Sequence, residues 1–180
     1  SYNAYCWGRI NKNKTDLLNY VPVLLNTNYN YIKMVHGTFY YDLDDFSTNI
    51  TGSFFDLSGD YIISLVNDNM ENNSVKNDIS NKLTVYYYNK KQYTTKTINI
   101  YINDTQYIND IYASKTLVVL KTNHGKIYYQ YINEIINKFG EDNTNILNIL
   151  DIFNQITLLN NYYTITDIAL GEEHFVFLTN

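Results

Sequence analysis

Three segments of this chain follow one pattern, and that recurrence constrains its fold more than any other feature. The last is Ile165-Thr-Asp-Ile-Ala-Leu-Gly171-Glu-Glu-His174-Phe-Val-Phe-Leu178-Thr-Asn180. The middle one runs Ile108-Asn-Asp-Ile-Tyr-Ala-Ser114-Lys-Thr-Leu-Val-Val-Leu120, and the first Phe54-Phe-Asp-Leu-Ser-Gly59-Asp-Tyr-Ile-Ile-Ser-Leu65. Each reads as a short alternating strand, a tight turn of small residues and a second apolar strand closing on Leu. The turn residues Gly59, Ser114 and Gly171 are 55 and 57 residues apart. A period of this length marks a supersecondary unit that buries its apolar surface by stacking on its neighbours.

The local chemistry agrees with strands. Ile165, Asp167 and Ala169 alternate with Thr166, Ile168 and Leu170, as in a half-buried strand, whereas Val118-Val119-Leu120 and Phe175-Val176-Phe177 are apolar on both faces. Strands of the second kind need cover above and below. Glycine at a turn reaches positive φ without steric cost, and Asn123-His124-Gly125 is a further hairpin signal leading into Lys126-Ile-Tyr-Tyr129. The expected strands lie near 61–66, 115–121, 126–131, 164–170 and 174–178.

Composition narrows the class. With 45% apolar residues, 20 Tyr and 8 Phe in 180 residues, the chain can bury a large core, and its single Pro and two Met accompany an aromatic excess that favours strands. Asparagine is abundant, as in a chain with a biased codon background. The net charge is −5 and the basic residues are scattered, so no cationic stripe is available for phosphates and nucleic-acid binding is not expected. No apolar stretch approaches the length of a membrane-spanning helix, and no membrane partner is expected. Cys6 is alone, which precludes an internal disulfide and agrees with a reducing, intracellular compartment.

The two ends of the chain carry the specific motifs. Gly171-Glu-Glu-His174 leads into a strand ending at Leu178, and Tyr5-Cys-Trp7-Gly8 is an aromatic strand closing on Trp-Gly, with Pro22 ahead of an aliphatic run. This resembles the repeat of the regulator of chromosome condensation family: a strand ending in Gly, two spacers, His, a strand ending in Leu, a Gly turn, then an aromatic strand ending in Trp-Gly. The resemblance implies an all-β chain of about three four-stranded antiparallel blades of a β-propeller. It implies a single unit, 1–180, belonging to a larger propeller, with approximate repeats 1–59, 60–114 and 115–180. Trp7, Gly8, Pro22, Gly59, Gly125, Gly171 and His174 are its structural repeat positions, His174 being hydrogen-bonded within its blade. The chain departs from the family pattern at Ser114, at Thr116-Leu117, at Tyr87-Tyr88-Asn89 and at Gln130-Tyr131. Gly37 competes with Gly59 as the end of the first repeat.

Two further elements are expected. Residues 67–81 are polar and without period, as in a mobile surface insertion. Residues 144–154 space their apolar side chains as a short helix would, with an N-cap among Asn143, Thr144 and Asn145.

No catalytic, cofactor or metal constellation emerges. His36, His124 and His174 are unpaired with Cys and lie at no metal-ligand spacing. No two of Asp42, Asp44, Asp45 and Asp56 are singled out as an acid–base pair. Lys14 follows no glycine-rich loop that would cradle phosphate. The expected function is therefore a non-enzymatic protein–protein interaction scaffold. The alternative implied by the resemblance is nucleotide exchange or regulation on a small GTPase, although no residue here can be matched to that role.

Overall fold

The computed structural model describes residues 5–9, 18–24, 29–39, 59–68, 81–89, 92–114, 116–139, 146–158, 162–171 and 174–180. These are mostly strands in antiparallel ladders. Strands β1 (Tyr5–Arg9) and β2 (Leu18–Leu24) form one hairpin. Its register shifts between Cys6 and Gly8, opposite the stretch that contains Pro22. A proline has no N–H for the ladder, so an irregular stretch of a two-stranded sheet suits it.

The first large sheet is a meander of β3 (Tyr29–Phe39), β4 (Gly59–Asp68), β5 (Lys82–Asn89) and β6 (Gln92–Tyr101). The second begins with β7 (Ile108–Ala113), β8 (Leu117–Thr122) and β9 (Ile127–Tyr131), each antiparallel to the one before. After β9 comes helix α1 (Ile132–Phe139), then β10 (Ile146–Asn148), which joins the first sheet parallel to β6. A 3-10 turn, Ile149–Asp151, leads to β11 (Asn154–Ile156), which returns to the second sheet beside β9. This passage laces the two sheets together. The last hairpin is β12 (Ile165–Leu170) with β13 (Phe175–Thr179).

Two-residue periodicity determines what each sheet buries. Tyr61, Ile63 and Leu65 of β4, Leu83, Val85 and Tyr87 of β5, and Ile98 and Ile100 of β6 face one way. They share a core with Ile108 and Ile111 of β7, Val118 and Leu120 of β8, and Tyr128 of β9, closed by α1 through Ile132, Ile135 and Ile136. The opposite face of the second sheet, with Leu117, Val119 and Ile127, packs on Ile165 and Ile168 of β12 and Phe175 and Phe177 of β13. The second sheet is thus covered on both faces, as Val118-Val119-Leu120 requires.

Polar ties hold the first interface in place. The buried Tyr61 donates its hydroxyl to the Ser114 carbonyl at 2.8 Å, and burial raises its pKa well above the ordinary phenol value. The Asn81 side chain accepts from the Ile108 N–H at 2.8 Å and donates to the Gln106 carbonyl at 3.3 Å, while its own carbonyl accepts from Ile100 at 2.8 Å. Lys33 of β3 pairs with Asp110 of β7 at 2.8 Å.

Two expectations change, and a third falls on residues outside the described ones. The strand lying against β4 on its first edge is β3, paired from Tyr29↔Asp68 to Phe39↔Gly59, and β5 occupies the other edge. The strand expected at 54–57, ahead of Gly59, lies outside the described residues. The α-helix lies at 132–139, where Ile132, Ile135 and Ile136 recur at i, i+3 and i+4 and all are buried. In the expected helix at 144–154, the described residues instead form β10, a 3-10 turn and the start of β11, Asn148 capping the turn by accepting from Leu150 at 3.0 Å. Within that turn the apolar spacing of Ile149 and Ile152 suits three residues per turn. Finally, the polar segment 67–81 is structured at both ends, Asn67 and Asp68 belonging to β4 and Asn81 bridging the sheets; residues 69–80 lie outside the described ones.

Candidate interaction surface

Among the described residues, two hairpins pair their strands in the same register. Residues 107–123 and 164–180 differ by an offset of 57. The β7–β8 ladder pairs Ile108↔Thr122, Asp110↔Lys121, Ile111↔Leu120, Tyr112↔Val119 and Ala113↔Val118. The β12–β13 ladder pairs Ile165↔Thr179, Asp167↔Leu178, Ile168↔Phe177, Ala169↔Val176 and Leu170↔Phe175, the same register throughout. Both ladders shift at the same place, between Ile108 and Asp110 and between Ile165 and Asp167.

The reason lies in the few side chains the two copies share. Each bulge is followed by an aspartate whose carboxylate accepts from the next N–H, Asp110 from Ile111 at 3.0 Å and Asp167 from Ile168 at 2.8 Å. Each hairpin ends on an asparagine that binds back to its first residue. Asn123 accepts from the Tyr107 N–H at 3.0 Å and Asn180 from the Thr164 N–H at 2.8 Å, and their own N–H groups bond the carbonyls of Tyr107 and Thr164. Each turn is closed by one backbone bond, Ser114 N–H to the Leu117 carbonyl at 2.9 Å and Gly171 N–H to the His174 carbonyl at 2.7 Å. A local carboxylate and a terminal amide are enough to fix register where the intervening apolar residues vary.

The two hairpins differ in their surroundings. Val119 is fully buried against β12–β13, while its counterpart Val176 is 62% exposed and Leu178 beside it 65% exposed. Ala169, Asp167 and Thr166 share this outward side, and Tyr162 and Tyr163 stand exposed ahead of β12. Phe175 and Phe177 face the second sheet, with ring centroids 6.1 Å apart and Phe175 at 6.2 Å from Tyr129. The hairpin therefore has one apolar face used and one left to solvent, and the latter is the candidate surface.

The residues that the resemblance singles out fall as follows. Trp7 and Gly8 lie in β1, Pro22 in β2, and Gly59 opens β4 opposite Phe39. Gly125 sits at φ +75° in the β8–β9 turn, a left-handed conformation that favours glycine, and a Cβ there would stand 3.2 Å from the Thr164 methyl. Gly171 carries the His174 ring directly over its Cα, where a Cβ would collide with it. His174 itself is exposed. Its ring lies against Gly171 across the turn, and the hydrogen bond expected of it is not found among the described residues. His124 is exposed in its turn, His36 is a strand residue of β3, and Asp42, Asp44, Asp45 and Asp56 lie outside the described residues.

The sequence reading did not single out Val176 and Leu178 as a surface. Their signal was present in Phe175-Val176-Phe177, an apolar strand needing two covers, of which the structure supplies one. Among the described residues, no group of three or more His, Cys, Asp or Glu side chains could hold a metal ion, and no helix is long and apolar enough to cross a membrane. No protein-family model, curated protein or solved structure matches this chain.

Proposed function

We propose that this chain is a non-catalytic protein–protein interaction scaffold whose stacked antiparallel sheets are successive blades of a propeller array of the regulator of chromosome condensation type. The observation that carries this reading is the pair of hairpins at 107–123 and 164–180, alike in register, bulge, aspartate bond and terminal asparagine. A unit reproduced at fixed spacing, each copy packing on the next, is how repeat proteins build extended surfaces for partners. The outward face of β12–β13 is the contact surface in this reading, because an apolar strand face left to solvent marks a site of association.

The test is to capture binding proteins on the immobilised 180-residue chain and compare it with Val176→Glu and with Leu178→Glu. Both residues are already exposed, so the variants keep the fold, and proteins retained through this face are lost from both. Retention unaffected by either charge would overturn the assignment of the surface.

A further inference from the structure

The second sheet shows what the β12–β13 hairpin lacks. The edge of β8 that faces away from β7 is filled by β9, through Leu117↔Tyr131, Val118↔Gln130, Val119↔Tyr129, Leu120↔Tyr128 and Lys121↔Ile127. β9 is in turn flanked by β11, antiparallel, from Ile127↔Ile156 to Tyr129↔Asn154. By the offset of 57, His174 to Leu178 should meet a five-residue antiparallel strand that has a second strand behind it. Among the described residues no strand pairs with that edge of β13. An unpaired row of backbone N–H and C=O groups is a template for another strand.

One unit of the chain has the required form. β1 is five residues long, as β9 is, and β2 lies antiparallel behind it, as β11 lies behind β9. The β1–β2 sheet has only two strands, and its other edge is likewise unpaired among the described residues. An isolated two-stranded sheet is marginally stable in water, so it gains by joining a larger one. β1 is not laddered to β13 of its own chain.

We propose that the outer edge of β13 takes the β1–β2 hairpin of a second copy of this chain, giving a four-stranded antiparallel sheet in the order β12-β13-β1-β2 with strands from two molecules. The contact is head-to-tail, since each copy offers a β13 edge at one end and a β1 edge at the other. Heterologous contacts of this kind produce closed rings where the rotation closes and filaments where it does not. The inference rests on the reading of β12–β13 as an interaction element, and it fails separately from it: that reading needs any partner, this one needs the same chain.

The test uses the full 180-residue chain. Single cysteines are introduced in turn from His174 to Leu178, and mild oxidation is applied with Cys6, the chain's own cysteine in β1, as the reporter. The expected result is covalent dimers whose yield peaks at one position, falls at its immediate neighbours, and disappears when Cys6→Ser is added. Dilution of the chain over a hundredfold range in light scattering should show association, and an added peptide spanning residues 1–24 should reverse it. A monomer at every concentration with uniformly low cross-linking would overturn the proposal. Cross-links that survive Cys6→Ser would overturn it too, because they would mean that β13 pairs with β13. A monomer that still captures proteins through Val176 and Leu178 would remove the self-association and leave the scaffold reading intact.

Discussion

Val119 and Val176 hold the same place in two hairpins that match pair for pair, yet the first is fully buried and the second 62% exposed. Leu120 and Phe177, also equivalent, are buried and half-buried. The local code is common to both: the bulge, the aspartate behind it, the closing turn bond and the asparagine at the end. The cover is not. β7–β8 has the first sheet on one side, β12–β13 on the other and β9 along its edge. Hairpin geometry is therefore written locally, whereas burial belongs to the position of the hairpin in the stack.

Substitutions at equivalent positions test that separation, and the largest difference should come from the valines. Val119→Ala removes two buried carbon groups and leaves a cavity, costing about 2 kcal/mol or more. Val176→Ala should stay within about 0.5 kcal/mol, as exposed substitutions do. Urea denaturation of the two variants gives the comparison, and equal losses would break it.

The aspartates should differ by less. Asp110 accepts from Ile111, accepts from the Tyr112 hydroxyl at 3.2 Å and pairs with Lys33, while Asp167 accepts from Ile168. Asp110→Ala should cost about 1–2 kcal/mol and Asp167→Ala about 0.5–1 kcal/mol, since the Lys33 pair is half-exposed and adds little. Thermal melts of both variants would rank them.

A pH effect should mark the first hairpin alone, because Tyr112 is replaced by Ala169 in the second. Burial, then the charge and hydrogen bond of Asp110, then the charge of Asp167, push the Tyr112 phenol up to about 12. The folded chain thus holds this proton more tightly than the unfolded one, whose phenol titrates near 10. The contribution is complete below about pH 10 and is lost as pH rises from there through about 12. Tyr112→Phe should flatten that part of the stability–pH curve, and an unchanged slope would show that the phenol does not sense its neighbours.

The smallest effect concerns the turns. Gly171→Ala must displace the His174 ring, which is free to swing because it is exposed, so the cost should be below about 1 kcal/mol. In a His174→Ala background that cost should vanish, and a double-mutant cycle measures the coupling. His174→Ala alone should also stay below about 1 kcal/mol, because no buried partner is orphaned.

The strands at 108–122 and 165–179 and the need for two covers were legible in the sequence because alternation and turn residues are local signals. Ile108 with Asp110 and Ile165 with Asp167 hold the same places in the two hairpins, even though Ser114 stands where the second has Gly171. What was not legible depended on distant pairing. Nothing near Gly59 announces that β3, twenty residues upstream, takes the edge of β4. The helix at 132–139 had a readable i, i+3, i+4 pattern but followed a strand without Gly or Pro to punctuate it. Residues 146–156 could not be resolved by periodicity, because short apolar runs suit helix and strand alike. Val176 could be recognised as needing a cover, but only the packed chain shows that the cover is missing.

Amide hydrogen exchange over 117–122 and 175–179, on the same chain at low and high concentration, tests most directly whether these are one hairpin in two settings. Strand β8 has partners on both edges, so its amides should exchange slowly at every concentration. Strand β13 has β12 on one edge, so part of its amides should exchange fast in dilute solution and slow down as the chain is concentrated. Protection of 175–179 equal to that of 117–122 in the dilute chain would contradict the account, because the edge of β13 would then be already filled.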